Sequence, residues 1–488
     1  MCSRVFCRAC SPSRPLNGAF PERTLQLPVP PHPFPLPAGE REGVIHPFPR
    51  SEHLCEHLWK RCLIIADDLT GGADTGAQFA KNGLSTFLIS FGENHPIDFS
   101  KYGRRDVLVI NTDSRGLKPG KAFQLVSNLL KNFDPDIFPV IYKKIDSTLR
   151  GNIGYEIDAL IQETNRSLCF MAPSYPEQSR TVVYGILRVE GKLLASTEIS
   201  RDTTFPVQES HVCRLLEHQS RHPIGAIDVK HVASGGEVLL SRVAEESEKG
   251  NRIIVFDAEN RQDLTNIVEA AFRMERMPLL VGSAGLAREV AKKIFFSKSG
   301  LSHISAKGSK PFKHIFIISG SASSVTHRQL KQLQKKNVPE FILNPSWLTR
   351  EILPEIEKRE FSNRIASALS ERCAVLKAPI EPLPKDLIGL PVHLKITKSL
   401  ASLALSAMEE SGVTPHEIAL ILTGGEMAMS LIRLLQAEGI EIEGELLEGI
   451  MRGHLTGGKW DGMTVVTKAG AFGNESALKN IVEILEMS

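Results

Sequence analysis

Residues 62–81 read CLIIADDLTGGADTGAQFAK. The apolar run at the start of this stretch ends in two adjacent acids, Asp67 and Asp68, which are followed by Gly71 and Gly72. Beyond the glycines, alanines recur at helical spacing, which predicts a helix that begins near Gly72. The stretch therefore predicts a buried strand, an acidic loop and a helix.

The two acids stand where an α/β sheet binds its ligands. Ligands bind at the carboxyl ends of the strands, where helix N-termini offer unpaired N–H groups. Adjacent carboxylates are costly there unless a cation or hydroxyl groups face them. We expect Asp67 or Asp68 to hold a hydroxylated substrate, a catalytic proton or Mg²⁺. The alternative is that one acid only caps the next helix.

Composition describes an ordinary globular protein. The 488 residues are 42% hydrophobic and 23% charged, enough for two or three domains. The formal net charge of +2 gives no electrostatic case for nucleic-acid binding. No apolar run has the length of a membrane span, and no signal-peptide pattern is present. We therefore expect a cytoplasmic protein with no membrane partner.

The chain divides into four segments. Residues 1–60 are rich in proline and have no periodicity, so we expect a disordered extension or a wrongly assigned start. Residues 61–297 alternate short apolar runs with helical stretches, a pattern typical of βαβ units. Residues 298–313 are polar and basic and predict a linker. Residues 314–488 resume the alternation, so the predicted fold is α/β with two domains, each with a mainly parallel sheet flanked by helices.

Polar loops follow the predicted strands of the first domain. These strands are 63–65, 85–89, 107–110, 140–143, 168–171, 253–256 and 279–281. The loops carry amide and cationic side chains, namely Asn111, Arg115, Lys143, Lys144, Arg150 and Arg180. Arginine forks match carboxylates, and acids accept hydrogen bonds from hydroxyl groups, so the set suits a small hydroxylated anion. The alternative is that the lysine pair is solvated and Arg150 caps a helix.

The second domain favours a nucleotide. Loops after its strands at 315–318, 418–422 and 464–466 carry Gly, Ser and Thr, and two of them open helices. Small residues let backbone N–H groups approach phosphate oxygens, and helix N-termini add a favourable dipole. The sequence GHLTGGK at 453–459 fits part of a P-loop, but Trp460 replaces the required Ser or Thr, so we reject it.

Eight motifs occur in one order along the chain: IADDLTGGADTG, NTDSR, KKIDSTLRGN, APSYPEQSRT, SRDTTFPV, SGSAS, TGGE and TKAGAFG. Together they resemble the four-carbon acid sugar kinases, ATP-dependent enzymes that act on threonate, erythronate or 3-oxo-tetronate. The likeness runs from about residue 61 to the C-terminus.

The resemblance implies an N-terminal domain that binds the sugar acid and a C-terminal domain that binds ATP. Phosphate would pass across the cleft to the terminal hydroxyl, giving the 4-phosphate. The implied substrate side comprises Asp67, Asp68, Lys143, Lys144 and Arg150, to which the loop pattern adds Asn111 and Arg115. The implied nucleotide side comprises Ser319, Gly320, Ser321, Gly424, Gly425, Glu426, Lys468, Gly470 and Phe472. Met427 departs from the family, which commonly has Thr after TGGE.

The hypothesis is in-line phosphoryl transfer. Asp67 or Asp68 would orient or deprotonate the terminal hydroxyl, Arg150 would hold the substrate carboxylate, and Mg²⁺ would bridge the ATP phosphates. Which acid is the base is left open, as are the four-carbon acid used and the oligomeric state, for which a homodimer is one option. The alternatives are a sensor that binds sugar acid and nucleotide without turnover, and a phosphohydrolase of sugar-acid phosphates.

Overall fold

The structure is a computed structural model that describes residues 60–91, 97–131, 133–202, 205–296, 311–321, 323–349, 355–379, 392–470 and 472–487. The predictions of an extension over residues 1–60 and of a linker over 298–313 lie almost wholly outside these residues. Among the described helices, none is both long and apolar enough to cross a membrane.

Eighteen strands lie in the described residues. In chain order they are β1 (Cys62–Ala66), β2 (Thr86–Ser90), β3 (Val107–Asn111), β4 (Val140–Lys144), β5 (Cys169–Ala172), β6 (Arg180–Val183), β7 (Ile186–Val189), β8 (Lys192–Leu193), β9 (Ile224–Ile227), β10 (Ile253–Phe256), β11 (Leu279–Gly282), β12 (His314–Ser319), β13 (Glu340–Ile342), β14 (Cys373–Lys377), β15 (Ile418–Thr423), β16 (Gly439–Leu447), β17 (Ile450–Thr456) and β18 (Thr464–Lys468).

Thirteen α-helices accompany them in the same part of the chain. They are α1 (Leu69–Ala80), α2 (Pro119–Leu130), α3 (Ile153–Thr164), α4 (Val212–Glu217), α5 (Val229–Ser234), α6 (Gly236–Glu248), α7 (Arg261–Arg273), α8 (Ala284–Phe296), α9 (Ser324–Gln334), α10 (Glu355–Glu371), α11 (Val392–Ser411), α12 (Gly425–Leu434) and α13 (Ala477–Met487).

The first strand shows why the sheet is buried on both faces. Side chains alternate along a strand, so Cys62 and Ile64 pack into one hydrophobic core while Leu63 and Ile65 pack into another on the opposite face. All four are fully buried. A strand that is apolar at every position is typical of a parallel sheet covered by helices on both sides, and β1 lies in parallel between β3 and β4.

The described strands form one sheet of 15 strands and a separate sheet of three. In the large sheet the order is β13-β14-β12-β15-β18-β17-β16-β2-β3-β1-β4-β11-β5-β10-β9. The pairs among β1 to β5 and β9 to β11 are parallel, as are those among β12, β13, β14, β15 and β18. The prediction of a mainly parallel α/β fold with helices around it is confirmed.

The two halves share this sheet through an antiparallel hairpin. Strands β16 and β17 form the hairpin, and β16 pairs antiparallel with β2 of the first half, with Ile440 opposite Leu88. We call the β2–β16 pairing the sheet junction. The sequence analysis did not predict it, and it expected a separate sheet in each domain. The rejected P-loop sequence at 453–459 lies in β17 and the turn after it.

Candidate active site

The register of three parallel strands gathers the polar loops of the first half. Ala66, the last residue of β1, lies opposite Asn111 on β3 and Lys144 on β4. The chain leaves all three strands at this same edge, so the loops after them are neighbours. The register therefore places the polar loops after β1, β3 and β4 together at one edge of one sheet.

Arg115 joins the two acids of the first loop. Its Nε donates to Asp67 Oδ2 at 2.7 Å, and its Nη2 donates to Asp67 Oδ1 at 3.0 Å and to Asp68 Oδ1 at 2.6 Å. Burial opposes the charge of Arg115, yet the two acids hold the pKa of its guanidinium well above the usual value. One guanidinium therefore neutralises much of the charge that made the acid pair costly.

Asp68 is the more exposed of the two acids. Its side chain is 19% exposed, against 4% for Asp67. Thr70 Oγ1 donates to Asp68 Oδ2 at 2.6 Å. Burial would raise the pKa of Asp68, but Arg115 and Lys144 outweigh it and hold that pKa below its usual value. Asp68 is thus a carboxylate at neutral pH, at the carboxyl end of β1.

Gly71 leaves room for this arrangement. A Cβ atom at Gly71 would lie 2.5 Å from both Asp68 Oδ1 and Lys144 Nζ. Real Cβ atoms do not approach other atoms so closely, so any larger residue would push the carboxylate and the ammonium away. This close approach explains why the acidic loop runs into glycine as the helix begins.

Lys143 and Lys144 face opposite ways. Lys143 is 1% exposed and forms an ion pair with Glu156 of α3 beneath the sheet. Lys144 is 5% exposed, and in the described part of the chain its ammonium makes no hydrogen bond or ion pair. Alternation along β4 separates the two side chains, so the structure brings Lys144 to the cavity and not Lys143.

Arg150 is already occupied by protein carboxylates. Its Nε and Nη2 donate to the two oxygens of Asp146 at 2.7 and 3.2 Å, and Asp202 lies 3.5 Å from Nη1. Burial would raise the pKa of Asp146, but Arg150 and Arg115 hold it well below the usual range. The two-point fork that the sequence analysis assigned to a substrate carboxylate is filled by Asp146.

Asn111 supports the site from below. It is fully buried, its Oδ1 accepts from the backbone N–H of Asp113 at 3.1 Å, and its Nδ2 donates to the sulfur of Met429 at 3.1 Å. Met429 belongs to α12, so this bond crosses between the halves. Asn111 therefore holds a loop and a contact between the halves instead of facing the cavity.

A cavity of about 660 Å³ lies between the two halves. Its first-half lining includes Asp68, Thr70, Gly71, Asp74, Arg115, Lys144, Asp146, Ser147, Thr148, Arg150, Tyr175, Arg180, Asp202, Ser283 and Ala284. Its second-half lining includes Ser321, Ser323, Ser324, Gly425, Ala469, Gly470 and Phe472. One wall is rich in charge, whereas the other is rich in small residues.

Two helices of the second half begin at the cavity. Ser323 caps α9, its Oγ accepting from the N–H of Val325 at 3.3 Å, and Gly424 precedes α12 with φ +98°. That φ lies in the left-handed region that favours glycine. Helix N-termini carry unpaired N–H groups and a partial positive charge, which suit phosphate oxygens.

Other residues of the second half hold these helices in place. Lys468 is fully buried and donates to the backbone oxygens of Ala469, Gly470 and Phe472 at 2.9, 3.2 and 3.0 Å. Burial lowers its pKa to about 8. Ser319 Oγ accepts from Thr423 Oγ1 at 2.8 Å, also in the interior. These two residues shape loops and do not face the cavity.

The remaining nucleotide-side candidates divide in the same way. Gly320 lies over Met427, because a Cβ at Gly320 would approach Met427 Cβ to 2.9 Å. Met427 is 1% exposed, so the residue that departs from the family is part of the core. Glu426 is exposed and is absent from the described lining. Ser321, Gly425, Gly470 and Phe472 line the cavity.

The predicted substrate side left out several lining residues with clear chemistry, among them Arg180, which the sequence analysis named only as a loop cation. Asp74 lies on α1, beyond the acidic loop, and the sequence alone did not show that its side chain faces the cavity. Arg180 donates to Gln178 O at 2.7 Å and lies over the ring of Phe472, with Cζ 5.8 Å from the centroid. Ser283 follows β11, where the strand-end rule applied to the other loops would have found it.

Family models cover both halves of the chain. A model described as a sugar-binding N-terminal domain matches residues 62–290, and one described as a nucleotide-binding C-terminal domain matches residues 316–478. The charged wall of the cavity belongs to the first match and the small-residue wall to the second.

Curated relatives are similar over nearly their whole length. The chain is 30% identical over 446 residues to a D-threonate kinase of Salmonella typhimurium, covering 87% of this chain and 98% of that protein. It is 27% identical to a D-erythronate kinase of Heliobacterium modesticaldum, covering 87% and 96%. It is 25% identical to a 3-oxo-tetronate kinase of Actinobacillus succinogenes, covering 79% and 91%. Fold, cavity and relatives define a small-molecule kinase.

Solved structures support the same fold. The structure of a Salmonella typhimurium protein superposes with a TM-score of 0.70 at 23% identity, covering 86% of this chain and 98% of that one. A Haemophilus influenzae protein of the DUF1537 family gives a TM-score of 0.65 at 24% identity, covering 87% and 98%. The chain belongs to the four-carbon acid sugar kinase family.

Proposed function

We propose that this kinase transfers the γ-phosphate of ATP to the terminal hydroxyl of a four-carbon acid sugar, such as threonate, erythronate or 3-oxo-tetronate, and releases the 4-phosphate. Residues 61–297 would bind the acid, 314–488 would bind ATP, and 298–313 would connect them. The names of the relatives support the substrate class. We further propose a cytoplasmic enzyme, with a homodimer as the assembly to test.

One observation carries the proposal. Asp68 Oδ2 lies 3.5 Å from the position that a Cβ on Gly425 would occupy. Gly425 is the first residue of α12, so the carboxylate of one half faces the helix N-terminus of the other at contact distance. A hydroxyl held by Asp68 and a phosphate held by that N-terminus would therefore meet, which is what direct transfer requires.

Asp68 is the proposed base. It would orient the terminal hydroxyl and accept its proton while the hydroxyl oxygen bonds to the γ-phosphorus. The bond from that phosphorus to the β–γ bridging oxygen breaks, and ADP leaves. Arg115 donates to both acids, so Arg115, itself held by Asp67, would fix the position of Asp68. The lowered pKa of Asp68 makes it a weak base in the free enzyme, which a bound substrate can change.

Lys144 is the proposed ligand of the substrate carboxylate. Its ammonium lies at Gly71 beside Asp68. Pairing Lys144 with an anion would weaken its effect on Asp68 and so raise the pKa of that acid toward a more effective base. Arg180 can supply a second cation, because its Nε is buried without a hydrogen-bond partner among the described residues. Arg150 would then act through Asp146.

The nucleotide would lie against α9 and α12. Ser321, Ser323 and Gly425 offer hydroxyl and backbone donors to its phosphates. Among the described residues, no three His, Cys, Asp or Glu side chains are grouped closely enough to hold a metal ion. We propose that Mg²⁺ would come with the ATP phosphates and would supply positive charge there.

The test is ADP release by the full chain with Mg·ATP and a panel of D- and L-threonate, D- and L-erythronate and 3-oxo-tetronate. We expect turnover with at least one acid and none without acid. Asp68→Asn should lower kcat at least about 100-fold, as expected for loss of a general base, with KM for ATP little changed.

Two other outcomes would contradict the proposal. Binding of an acid and of ATP without ADP release would indicate a sensor. Release of inorganic phosphate from a sugar-acid 4-phosphate in the absence of ATP would indicate a phosphohydrolase. Near-normal turnover by Asp68→Asn would refute its assignment as the base.

A further inference from the structure

Asp74 is a buried acid with one carboxyl oxygen that has no hydrogen-bond partner among the described residues. It lies on α1, is 5% exposed and lines the cavity. In the described part of the chain its Oδ1 has no hydrogen-bond partner. Buried polar groups are almost always hydrogen-bonded, and an unpaired buried acid is costly. The unpaired oxygen of Asp74 therefore lowers the free energy of unfolding of the protein.

The charged groups around Asp74 come from three parts of the fold. Lys144 acts on it from β4, Glu445 from β16, and Lys81 from the residue that follows α1. Gln78 of α1 also forms a side-chain hydrogen bond with it, which lowers its pKa. Gln78 and Lys81 are engaged by Glu445, at 2.8 and 2.6 Å. Burial raises the pKa of Asp74 to about 7, and Lys144 opposes that rise. The carboxyl can therefore both donate and accept hydrogen bonds near neutral pH.

Asp74 and Asp68 act on the same lysine. Lys144 is among the groups that lower the pKa of each acid. A sugar acid whose carboxylate lies on Lys144 and whose terminal hydroxyl lies on Asp68 would leave its C2 and C3 positions to be met by other lining groups. Asp74 is a lining acid with an oxygen available for a hydrogen bond from those positions.

We infer that Asp74 is a specificity-determining residue that hydrogen-bonds an internal oxygen substituent, at C2 or C3, of the sugar acid. This inference rests on the proposed function and deepens it. A site built to hydrogen-bond a substrate hydroxyl rejects analogues that lack it, because the protein group is then left unpaired. Such a substrate would supply the hydrogen bond that Asp74 Oδ1 lacks in the free protein.

The test is a cycle that combines substitution of Asp74 with deletion of a substrate hydroxyl. Calorimetry on the full chain would measure binding of threonate and erythronate, and of 3,4-dihydroxybutanoate and 2,4-dihydroxybutanoate, which lack the C2 and C3 hydroxyls. We expect one deoxy acid to bind wild-type protein at least about tenfold more weakly than its parent, and this penalty to fall below about threefold in Asp74→Leu. Asp74→Asn should restore most of the penalty.

Thr75→Val is the matched control. Thr75 is the next residue on α1, is fully buried and also has an unpartnered side-chain oxygen, but it is outside the described lining. We expect Thr75→Val to keep the wild-type penalties. A purely structural role for Asp74 would weaken binding of parent and deoxy acids equally.

Equal penalties in wild type and Asp74→Leu would overturn the inference. Should Asp74→Leu fail to fold, Asp74→Ala takes its place, with the same expected fall of the penalty below about threefold. Equal penalties in wild type and Asp74→Ala would refute the role. Binding of an acid without ADP release would refute the kinase substrate proposal and leave the cycle readable, whereas binding of none would overturn both.

Discussion

Lys143 and Lys144 show at the residue scale how much depends on which side of a strand a residue occupies. Both are lysines, adjacent in β4 and nearly fully buried. Lys143 is balanced by Glu156 beneath the sheet, while Lys144 projects into the cavity beside Asp68. Substitution of each by methionine, which keeps the length and removes the charge, separates structural from ligand-binding roles.

We expect Lys143→Met to lower the free energy of unfolding by about 3–5 kcal/mol, because it leaves Glu156 buried without its ion-pair partner. Lys144→Met should keep wild-type stability to within about 1 kcal/mol and raise the KM for the sugar acid at least about tenfold. Urea unfolding and steady-state kinetics provide the two readouts. The reverse pattern, with Lys143 controlling KM, would contradict both assignments.

Asp74 predicts a pH dependence of stability. Burial raises its pKa from 3.8 to about 7 in the folded protein, so between these values the folded state binds the proton more tightly than the unfolded chain. The corresponding stability is fully present below pH 3.8 and is lost as pH rises to about 7. Asp74→Asn removes this dependence.

As pH rises from 5 to 8, the free energy of unfolding of Asp74→Asn should therefore increase relative to that of wild type by on the order of 1–3 kcal/mol. Urea unfolding at the two pH values measures the difference. Thr75→Val, measured in parallel, should show no such pH-dependent gain. A constant difference between Asp74→Asn and wild type across this range would show that Asp74 does not titrate there.

At the scale of elements, the second half depends on close packing between its loops. A Cβ at Gly470 would lie 2.2 Å from Ser321 Oγ, where the loop after β18 meets the loop before α9. Thr326 and Gln329 of α9 also donate to backbone oxygens of that loop. These loops are closely packed, so a methyl group added at Gly470 would displace Ser321, which lines the cavity.

We expect Gly470→Ala to raise the KM for ATP at least about tenfold, because it moves Ser321. Adding Ser321→Gly should restore part of the loss, since it removes the atom that the methyl would meet. Gly116→Ala is a control, because its added methyl would meet the Phe205 ring at an ordinary 3.5 Å. An unchanged KM for ATP in Gly470→Ala would show that this contact is unimportant.

The strands of the parallel sheet could be predicted because each is a short, wholly apolar run that ends in a polar loop. The runs at 107–110 and 253–256 correspond closely to β3 and β10. The hairpin of β16 and β17 was missed because its residues alternate polar and apolar with glycine among them, in GIEIEGELL and the strand after it. Such a pattern gives no sign of which strand it will pair with.

The site could be predicted in part for a related reason. Strand ends identified Asp68, Arg115 and Lys144, because the end of a parallel strand has a fixed place in the fold. Which of two adjacent lysines faces the cavity depends on the phase of the strand, and the pairing of Arg150 with Asp146 depends on a turn. The roles of all these residues in binding and catalysis stay predictions.

At the scale of the whole molecule, the sheet junction connects the halves through backbone hydrogen bonds. Gly439 stands at its edge, where a Cβ would lie 2.5 Å from Leu88 O and 2.7 Å from the Phe87 ring. α1 adds a side-chain contact, because Gln78 and Lys81 both bind Glu445 of β16. Relative motion of the halves is therefore limited to what this pairing allows.

We expect Gly439→Ala to lower the free energy of unfolding by about 1–3 kcal/mol, since it forces a methyl group into a packed strand pair. Hydrogen exchange should accelerate for amides of β2 and β16, while those of β1, which pairs with β3 and β4, keep their protection. Unchanged exchange across β2 and β16 would show that the pairing is not stabilised at Gly439.

The sheet junction also bears on how halves of this family could be exchanged by recombination. Separation of the two halves would leave β2 and β16 each with unpaired N–H and C=O groups along one edge. Exposed strand edges bind other chains and promote aggregation. A hybrid that joins the first half of one relative to the second half of another would need side chains that fit together at the positions of Leu88 and Ile440. We therefore expect recombined halves to fold well only when β2 and β16 are compatible.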